Sequence, residues 1–361
     1  MEAVDCQKVP CGFDAIFGKN LPHVLEKIFL SLDYESLKAC FEVSYTWKKS
    51  LTSESFQMRA KSRFHQDIKD DQDTLDEACM GGNSDEVRLL LSFGLLDVNY
   101  PKRVPYESTP LNGASKNGHT DVVKLLLGAG AEPSKADGNG ETPLHYVAKK
   151  GYGDVTKILL DGGAQPSKVN KNGRTPLHVA AIYGHNVIIN ILLDGGAKVN
   201  EEGECKISPL CWAIKTGYKH EIKRSDLIHH PVKTLLDRGA ELNKLFHHTG
   251  TALHWAVICA CFDDPYERDE EDMEQFPDWP CMVQFLLDAG ADPNMKDESG
   301  ISPTDLAVQR WRQDFCYVCN NVEDVLDRLL LSGGKTLSDP WKDPGEHELC
   351  RICGYGWTYH A

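Results

Sequence analysis

Thr142-Pro143-Leu144-His145 opens a segment that this chain repeats. The tetrapeptide returns 33 residues later as Thr175-Pro176-Leu177-His178. The same period governs two shorter versions and a glycine that follows an apolar run: Thr109-Pro110-Leu111, Ser208-Pro209-Leu210, and Gly130, Gly163 and Gly196. Self-similarity at this period indicates one supersecondary unit that is stacked several times, because a single unit cannot bury its apolar face alone.

Each unit carries start and stop signals for two helices. The threonine or serine before proline is an N-cap, and proline suits the first helical position. Small residues such as Ala180 and Ala181 let the first helix press closely on its neighbour. A Gly-His or Gly-Tyr turn precedes the second helix, which ends in Leu-Leu, and the closing glycine supplies a left-handed residue that terminates it.

This pattern closely resembles the ankyrin repeat, over residues 74–335 and about seven units. The resemblance implies an all-α fold, an ankyrin-repeat solenoid of helix-turn-helix units with turn fingers. In the later units the closing glycines fall at Gly239, Gly290 and Gly334, which is wider than the 33-residue period. The surplus predicts insertions between first and second helices at 218–230, 261–280 and 313–321.

The middle insertion is strongly acidic between Asp263 and Asp278, with Tyr266, Phe276 and Trp279 within or beside it. Two interpretations stay open for it: a solvated loop, or a loop that contacts a partner.

The remaining segments flank the repeats. We predict a loose leader over 1–15, three short helices over 16–65, a charged connection over 66–73 and a C-terminal tail over 336–361. Leu25, Ile28 and Leu32 recur at helical spacing on one face of the first short helix. A three-helix piece of this size buries too little apolar surface to be robust alone, which favours a partner surface.

Residues 21–51 resemble an F-box, which opens with Leu-Pro and closes on Val and Trp. The positions that match the F-box pattern are Leu21, Pro22, Leu25, Ile28, Leu32, Asp33, Leu37, Val43 and Trp47, and Phe29 lies beside them. The resemblance implies that Leu21, Pro22, Leu25, Ile28, Phe29, Leu32, Leu37, Val43 and Trp47 bind the Skp-type adaptor of a cullin ligase core. His23-Val24 and Tyr45 depart from the pattern. The alternative is a helical cap over the first repeat.

Composition excludes several classes of function. A net charge of −15 disfavours binding to phosphate backbones, so we expect no nucleic-acid partner. No apolar run approaches the roughly 18 residues of a membrane span, and we expect no membrane partner. Thirteen cysteines, mostly within helical patterns, favour reduced thiols and a cytoplasmic or nuclear location.

The chain lacks the motifs that mark common catalytic sites. It has neither a Walker-type glycine loop nor a Gly-x-Ser-x-Gly elbow, so we predict that it is not an enzyme. His145, His178 and His254 recur at one repeat position, which indicates a structural hydrogen-bonding role.

One metal site is possible in the sequence pattern. Cys350 and Cys353 resemble a zinc knuckle, and a structural zinc ion needs four ligands, for which Cys316 and Cys319 are the second pair. His347 or His360 are substitutes. The alternative is a reduced tail that caps the last repeat, and otherwise no cofactor is expected.

Equivalent positions of successive first helices predict a binding strip. The position after His145 reads Gly113, Tyr146, Val179, Trp212 and Trp255, and three residues further it reads Lys116, Lys149, Ile182, Lys215 and Ile258. The predicted target-binding residues are Tyr146, Lys149, Lys150, Tyr183, Trp212, Lys215 and Trp255. Aromatic and cationic side chains concentrate binding energy, so we expect a groove for an acidic or aromatic peptide. The alternative buries the tryptophans beneath the insertions.

These features together predict a non-catalytic substrate-recognition subunit of an SCF-type ubiquitin ligase, in which the F-box-like segment binds the adaptor and the repeats bind an unidentified target protein. The alternative is an ankyrin-repeat scaffold or inhibitor without a ligase role.

Overall fold

A computed structural model describes residues 65–92, 94–101, 108–203, 206–216, 230–246, 250–261, 279–313 and 320–336, together with the single residues 30, 32, 36, 60 and 63. The chain divides into two compact units, residues 1–137 and 138–361. The described residues contain fourteen α-helices of more than one turn and no strand, which confirms the predicted all-α class.

The described part of the first unit contains two helix pairs. Their bounds are α1 His65–Gly81, α2 Ser84–Ser92, α3 Pro110–Asn117 and α4 Thr120–Gly128. Within each pair the two helices pack on each other, and across the pairs α1 packs on α3 and α2 on α4. The first helix of one pair therefore packs on the first helix of the next, and the second on the second, as stacked repeats require.

The residues described in the second unit form five more pairs. Their bounds are α5 Pro143–Lys150, α6 Gly153–Asp161, α7 Pro176–Ile182, α8 Asn186–Asp194, α9 Pro209–Thr216, α10 Pro231–Asp237, α11 Ala252–Cys261, α12 Trp279–Asp288, α13 Pro303–Gln313 and α14 Asn320–Leu331. The first helices α5, α7, α9, α11 and α13 pack on one another in that order. Each pair adds one layer, and the first helices line up along one side of this unit.

The first helices begin as the sequence predicts. Thr109 and Thr175 have extended backbones, and their hydroxyls accept hydrogen bonds from the amides of Asn112 and His178, at 3.2 and 3.4 Å. Proline occupies the first turn, where its missing N–H costs nothing. The apolar residues of these helices are buried, including Leu111, Leu144, Leu177, Leu210 and Leu253, each at 1% exposure or less.

The closing glycine of the last unit differs from the prediction. The equivalent glycines of earlier units have positive φ, for example 91° at Gly196 and 94° at Gly290. In the last unit this conformation belongs to Gly333, with a φ of 89°, and the next amide, that of Gly334, bonds Leu329 O at 2.9 Å. Ala291 N makes the same bond to Leu286 O in the preceding unit. Gly334 therefore occupies the alanine position, and the closing residue is Gly333.

The segment 66–73 is helical. We predicted a charged connection there, but α1 runs through it without a break. No glycine or proline interrupts the helix between His65 and Met80. Asp71 and Gln72 are buried despite their polarity, and Gln72 Oε1 accepts a hydrogen bond from Asp97 N at 3.1 Å. Charge composition was therefore a poor guide, because packing on one face is enough to hold a helix.

Consecutive turns are joined by asparagine side chains. Asn243 Oδ1 accepts a hydrogen bond from Asp292 N at 2.9 Å, and its Nδ2 donates to Gly290 O at 3.0 Å. The same two-bond bridge is made by Asn99 to Gly130 and Glu132, by Asn200 to Gly239 and Glu241, and by Asn294 to Gly333 and Lys335. The sequence separation from the asparagine to the second partner is 33, 41, 49 or 41 residues. At these four places one asparagine side chain therefore fixes a turn on the next.

Lys206 occupies a position that favours glycine. Gly140, Gly173 and Gly300, each two residues before a helix-capping Thr or Ser, have φ of 76°, 69° and 76°. Lys206 holds this place before Ser208 with a φ of 53°, and it is the one non-glycine residue with positive φ in the described ranges. The left-handed region is costly for a residue that has a Cβ.

We expect Lys206→Gly to raise the free energy of unfolding by about 0.5–1 kcal/mol, because the relief of left-handed strain exceeds the added freedom of the unfolded chain. Urea denaturation followed by circular dichroism measures the change. The matched control is Lys198→Gly, at an exposed lysine without positive φ, which is expected to lower stability. Equal effects of both substitutions would contradict the strain at Lys206.

Candidate protein-binding surface

The repeated histidines are structural, as predicted. His178 is fully buried; its Nδ1 accepts a hydrogen bond from Thr175 N at 3.1 Å and lies 2.8 Å from Thr175 Oγ1. Because Nδ1 accepts, Nε2 carries the proton and donates to Ile207 O at 2.8 Å. His145 and His254 make the same contacts, to Thr142 and Arg174 O and to Thr251 and Ile301 O. Each ring closes its own helix cap and holds the start of the next unit.

Burial favours the neutral form of two of these rings, those of His178 and His254. Desolvation lowers the pKa of His178 to about 4, an effect that outweighs the opposing hydrogen bond to Ile207 O. Desolvation likewise lowers the pKa of His254. A histidine with these properties holds a fixed tautomer and makes a poor proton carrier near neutral pH.

The repeat formed by α3 and α4 lacks this arrangement. Asn112 stands at the position that holds His145, His178 and His254 in three later units, and it is fully buried. Its side-chain Oδ1 and Nδ2 make no hydrogen bond with any described residue. An amide is shorter than an imidazole, so Asn112 leaves the reciprocal half of the capping box unmade.

The predicted target-binding residues lie on first helices of the second compact unit, except Tyr183, which directly follows α7. We call Tyr146, Lys149, Lys150, Tyr183, Trp212, Lys215 and Trp255 the aromatic–cationic strip. Its three lysines are exposed, Tyr183 is 39% exposed, and the other aromatic residues are half-buried. The tryptophans are therefore not enclosed by the described residues. Val179, at the equivalent position of α7, is 6% exposed and does not contribute to this surface.

The structure brings several of these side chains together. Lys149 Nζ lies 5.5 Å from the ring centre of Tyr183, which joins α5 to the end of α7. Lys215 Nζ lies 5.3 Å from the ring of Trp212 and 5.5 Å from that of Trp255, which joins α9 to α11. These distances are typical of cation–π contacts. No described ring–cation contact includes Lys150, which is exposed beside Lys149.

Arg174 is a member of this surface that the sequence reasoning missed. Its Cζ lies 4.1 Å from the ring centre of Trp212, closer than either lysine contact. Arg174 stands in the turn just before the Thr175 cap, so it has no equivalent on the first helices. The corresponding turn residues are Glu141, Ile207 and Ile301. A lone cation directly before the repeated motif was the available signal.

The cations of this surface make no ion pair with described residues. This holds for Lys149, Lys150, Arg174 and Lys215, and the buried Nε of Arg174 has no hydrogen-bond partner there either. Elsewhere, cations do pair with acids. Arg238 contacts Asp194 at 2.6 Å and Lys244 contacts Glu202 at 2.9 Å.

The described thiols fit the reduced state. Burial raises the pKa of Cys79 and of Cys211 to about 12, which keeps both protonated and unreactive. In the described ranges, no group of three or more His, Cys, Asp or Glu side chains is placed to hold a metal ion. The predicted zinc ligands Cys316, Cys319, Cys350 and Cys353 lie outside those ranges. The zinc site therefore stays a prediction.

The predicted adaptor-binding residues also lie outside the described ranges, with the exception of Leu32, which is half-buried. The same is true of the greater part of each insertion. The described helices end at Thr216, Cys261 and Gln313 and begin again at Pro231, Trp279 and Asn320. None of the helices in the described ranges is long and apolar enough to cross a membrane.

Comparisons with known proteins define the class. The family model described as Ankyrin repeats (3 copies) matches residues 55–137 and 111–203, and the model described as Ankyrin repeat matches residues 250–298. Together these matches span more than half of the chain. The chain therefore belongs to the ankyrin-repeat proteins, a class whose repeats mediate protein–protein interaction.

A solved structure supports the fold. It is the ankyrin repeat domain of Bcl-3, described as a unique member of the IkappaB protein family. The TM-score is 0.54 and the identity is 24%, with 71% of this chain and 97% of that chain covered. At this identity the likeness shows the fold alone. No curated protein sequence gives a significant match.

Proposed function

We propose that this chain is a non-catalytic substrate-recognition subunit of an SCF-type ubiquitin ligase, acting in the cytoplasm or nucleus. The observation that carries the proposal is the ordered series of apolar residues in 21–51, which resembles an F-box and ends on Trp47. In this arrangement the F-box-like segment binds the Skp-type adaptor of the cullin ligase core. The aromatic–cationic strip of the repeats binds the target protein.

The strip supports the target-binding half of the proposal. Interface energy concentrates in aromatic and arginine side chains. Arg174 contacts the Trp212 ring, and Lys215 contacts the rings of both Trp212 and Trp255. Half-buried rings are held in place by the helices beneath them, so little side-chain freedom is lost on binding.

Co-purification tests the adaptor-binding half. We expect the intact chain to capture the purified Skp-type adaptor and the double variant Leu21→Ala with Pro22→Ala to lose it, because the pattern begins with this pair. The matched control is Glu26→Ala with Lys27→Ala, which changes two residues of the same segment outside the apolar pattern. Retention of the adaptor by the first variant, or its loss from both, would contradict the proposal.

The second candidate is an ankyrin-repeat scaffold or inhibitor without a ligase role. The family matches favour it in one respect, since they begin at residue 55 and do not include residues 21–51. A scaffold would bind its partner through the strip and would not bind the Skp-type adaptor. An intact chain that never captures the adaptor would establish this second candidate.

A further inference from the structure

We propose that the aromatic–cationic strip, together with Arg174, binds an extended acidic segment of a partner protein through carboxylate side chains. This inference rests on the proposed target-binding role and names the chemistry of the ligand. It selects carboxylates over the aromatic peptide that the sequence also allowed.

The first argument is charge. The chain as a whole has 54 acidic and 39 basic side chains, and a cation in such a protein readily finds a local acid. Lys149, Lys150, Arg174 and Lys215 nevertheless have no acidic partner among the described residues. Four such cations on one side of one unit form a local basic surface. Complementary charge on a ligand steers its encounter and fixes its register.

The second argument is the geometry of Arg174. Its guanidinium lies against the Trp212 ring, with Cζ at 4.1 Å from the ring centre. A guanidinium that is held by an aromatic face keeps its in-plane N–H groups for a second partner, and their fork matches a carboxylate with two parallel hydrogen bonds. Its Nε is buried without a hydrogen-bond partner among the described residues, so the donors left for a ligand are the N–H groups of the two terminal nitrogens. A preorganised arginine of this kind favours carboxylate over an uncharged ligand.

The third argument concerns Lys215. Its ammonium lies between the Trp212 and Trp255 rings, at 5.3 and 5.5 Å from their centres. The two indoles restrict the lysine without neutralising it, because the attraction of a ring quadrupole leaves a full positive charge. Arg174 and Lys215 therefore both contact the Trp212 ring. We regard Arg174, Trp212 and Lys215 as one subsite.

The fourth argument is spacing. Lys149 lies on α5 and Lys215 on α9, with α7 between them. Packed helices are about 8–10 Å apart, so two steps span roughly 16–20 Å. An extended chain advances about 3.3 Å per residue, so acidic residues about five or six positions apart reach both ends. The strip therefore fits an extended segment with two acidic groups at that separation better than a compact acidic cluster.

Fluorescence anisotropy with the full-length chain and defined probes tests this inference. The probe is a fluorescein-labelled Gly-Ser peptide with two Glu-Glu pairs five residues apart. The comparison peptides carry Gln-Gln pairs at the same places, or the two Glu-Glu pairs placed side by side. We expect the spaced glutamate peptide to bind at least tenfold more tightly than the glutamine peptide and severalfold more tightly than the clustered one. Equal binding of the glutamate and glutamine peptides would overturn the inference.

Charge-reversal variants locate the site. We expect Lys149→Glu with Lys215→Glu to weaken binding of the spaced peptide at least tenfold, and Arg174→Lys to weaken it severalfold because lysine cannot make the paired hydrogen bonds. The matched control, Lys157→Glu with Lys198→Glu, changes the net charge equally at exposed lysines of the same unit and is expected to stay within twofold of wild type. If the control variant loses binding equally, the effect comes from the net charge of the chain, and the assignment of the site to the strip is overturned. Circular dichroism verifies that each variant is folded.

Other occupants give different results. A single-stranded oligonucleotide that binds more tightly than the spaced peptide, or a charge-reversal variant that changes the oligomeric state of the free chain, would overturn the proposed ligand. Failure of the acidic-ligand inference can be distinguished from failure of the ligase proposal. Loss of peptide binding with intact adaptor capture removes only the ligand assignment, and the reverse outcome removes only the ligase role.

Discussion

His178→Ala is expected to lower the free energy of unfolding by about 3 kcal/mol, because the substitution strips partners from several buried polar groups at once. Thr175 N and Thr175 Oγ1 lose Nδ1, and Ile207 O loses Nε2. Each of these groups lies where the helix of one unit meets the turn of the next. The loss therefore weakens both the helix cap and the interface between two consecutive repeats.

Urea denaturation followed by far-ultraviolet circular dichroism measures this effect. The comparison variant is His119→Ala, since His119 is more exposed and its Nε2 has one hydrogen-bond partner among the described residues, Met80 O at 2.8 Å. We expect that variant to lose only about 1 kcal/mol. If both alanine variants lose the same stability, the histidine network is not the link between units that its geometry indicates.

Acidification from pH 7 to pH 5 is expected to remove about 2 kcal/mol of stability through His178 alone. The pKa of this histidine falls from 6.5 to about 4 in the folded chain, chiefly because burial disfavours the charged ring. Between these two values the unfolded chain binds a proton that the folded chain does not. The stabilising effect is therefore complete above pH 6.5 and is lost progressively as the pH falls toward 4. The lowered pKa of His254 acts in the same direction.

The pH dependence is isolated by comparing wild type with His178→Gln, which cannot titrate at this position. Urea denaturation of both chains at pH 7 and pH 5 gives the four free energies of unfolding that the comparison needs. We expect wild type to lose about 2 kcal/mol more than the glutamine variant between the two pH values. Equal losses would mean that the His178 ring takes up its proton without unfolding.

The repeat architecture could be predicted from sequence because its signals are local. Threonine caps, proline at the first helical position and glycine at the helix ends each depend on a few adjacent residues. The structural hydrogen-bonding role of His178 followed from the recurrence of histidine at one repeat position. These features combine propensity and periodicity, which a single sequence displays directly.

The rest depended on contacts between distant residues. Arg174 meets Trp212 across 38 positions, a separation that is not a multiple of the repeat length, so alignment of equivalent positions could not pair them. The helical state of 66–73 depends on burial of Asp71 and Gln72, which charge composition conceals. The left-handed backbone at Lys206 is likewise hidden, because the residue type itself argues against it.

The asparagine bridges explain how this chain tolerates units of unequal length. Asn99 and Asn243 make the same pair of bonds, although 33 residues separate the first from its second partner and 49 separate the other. Where a bridge is present it joins the turn of one unit to the turn of the next, so residues added elsewhere in that unit do not alter its alignment on the next. Loops of new sequence can therefore be exchanged at these sites, in evolution or by engineering, while the supporting framework stays unchanged.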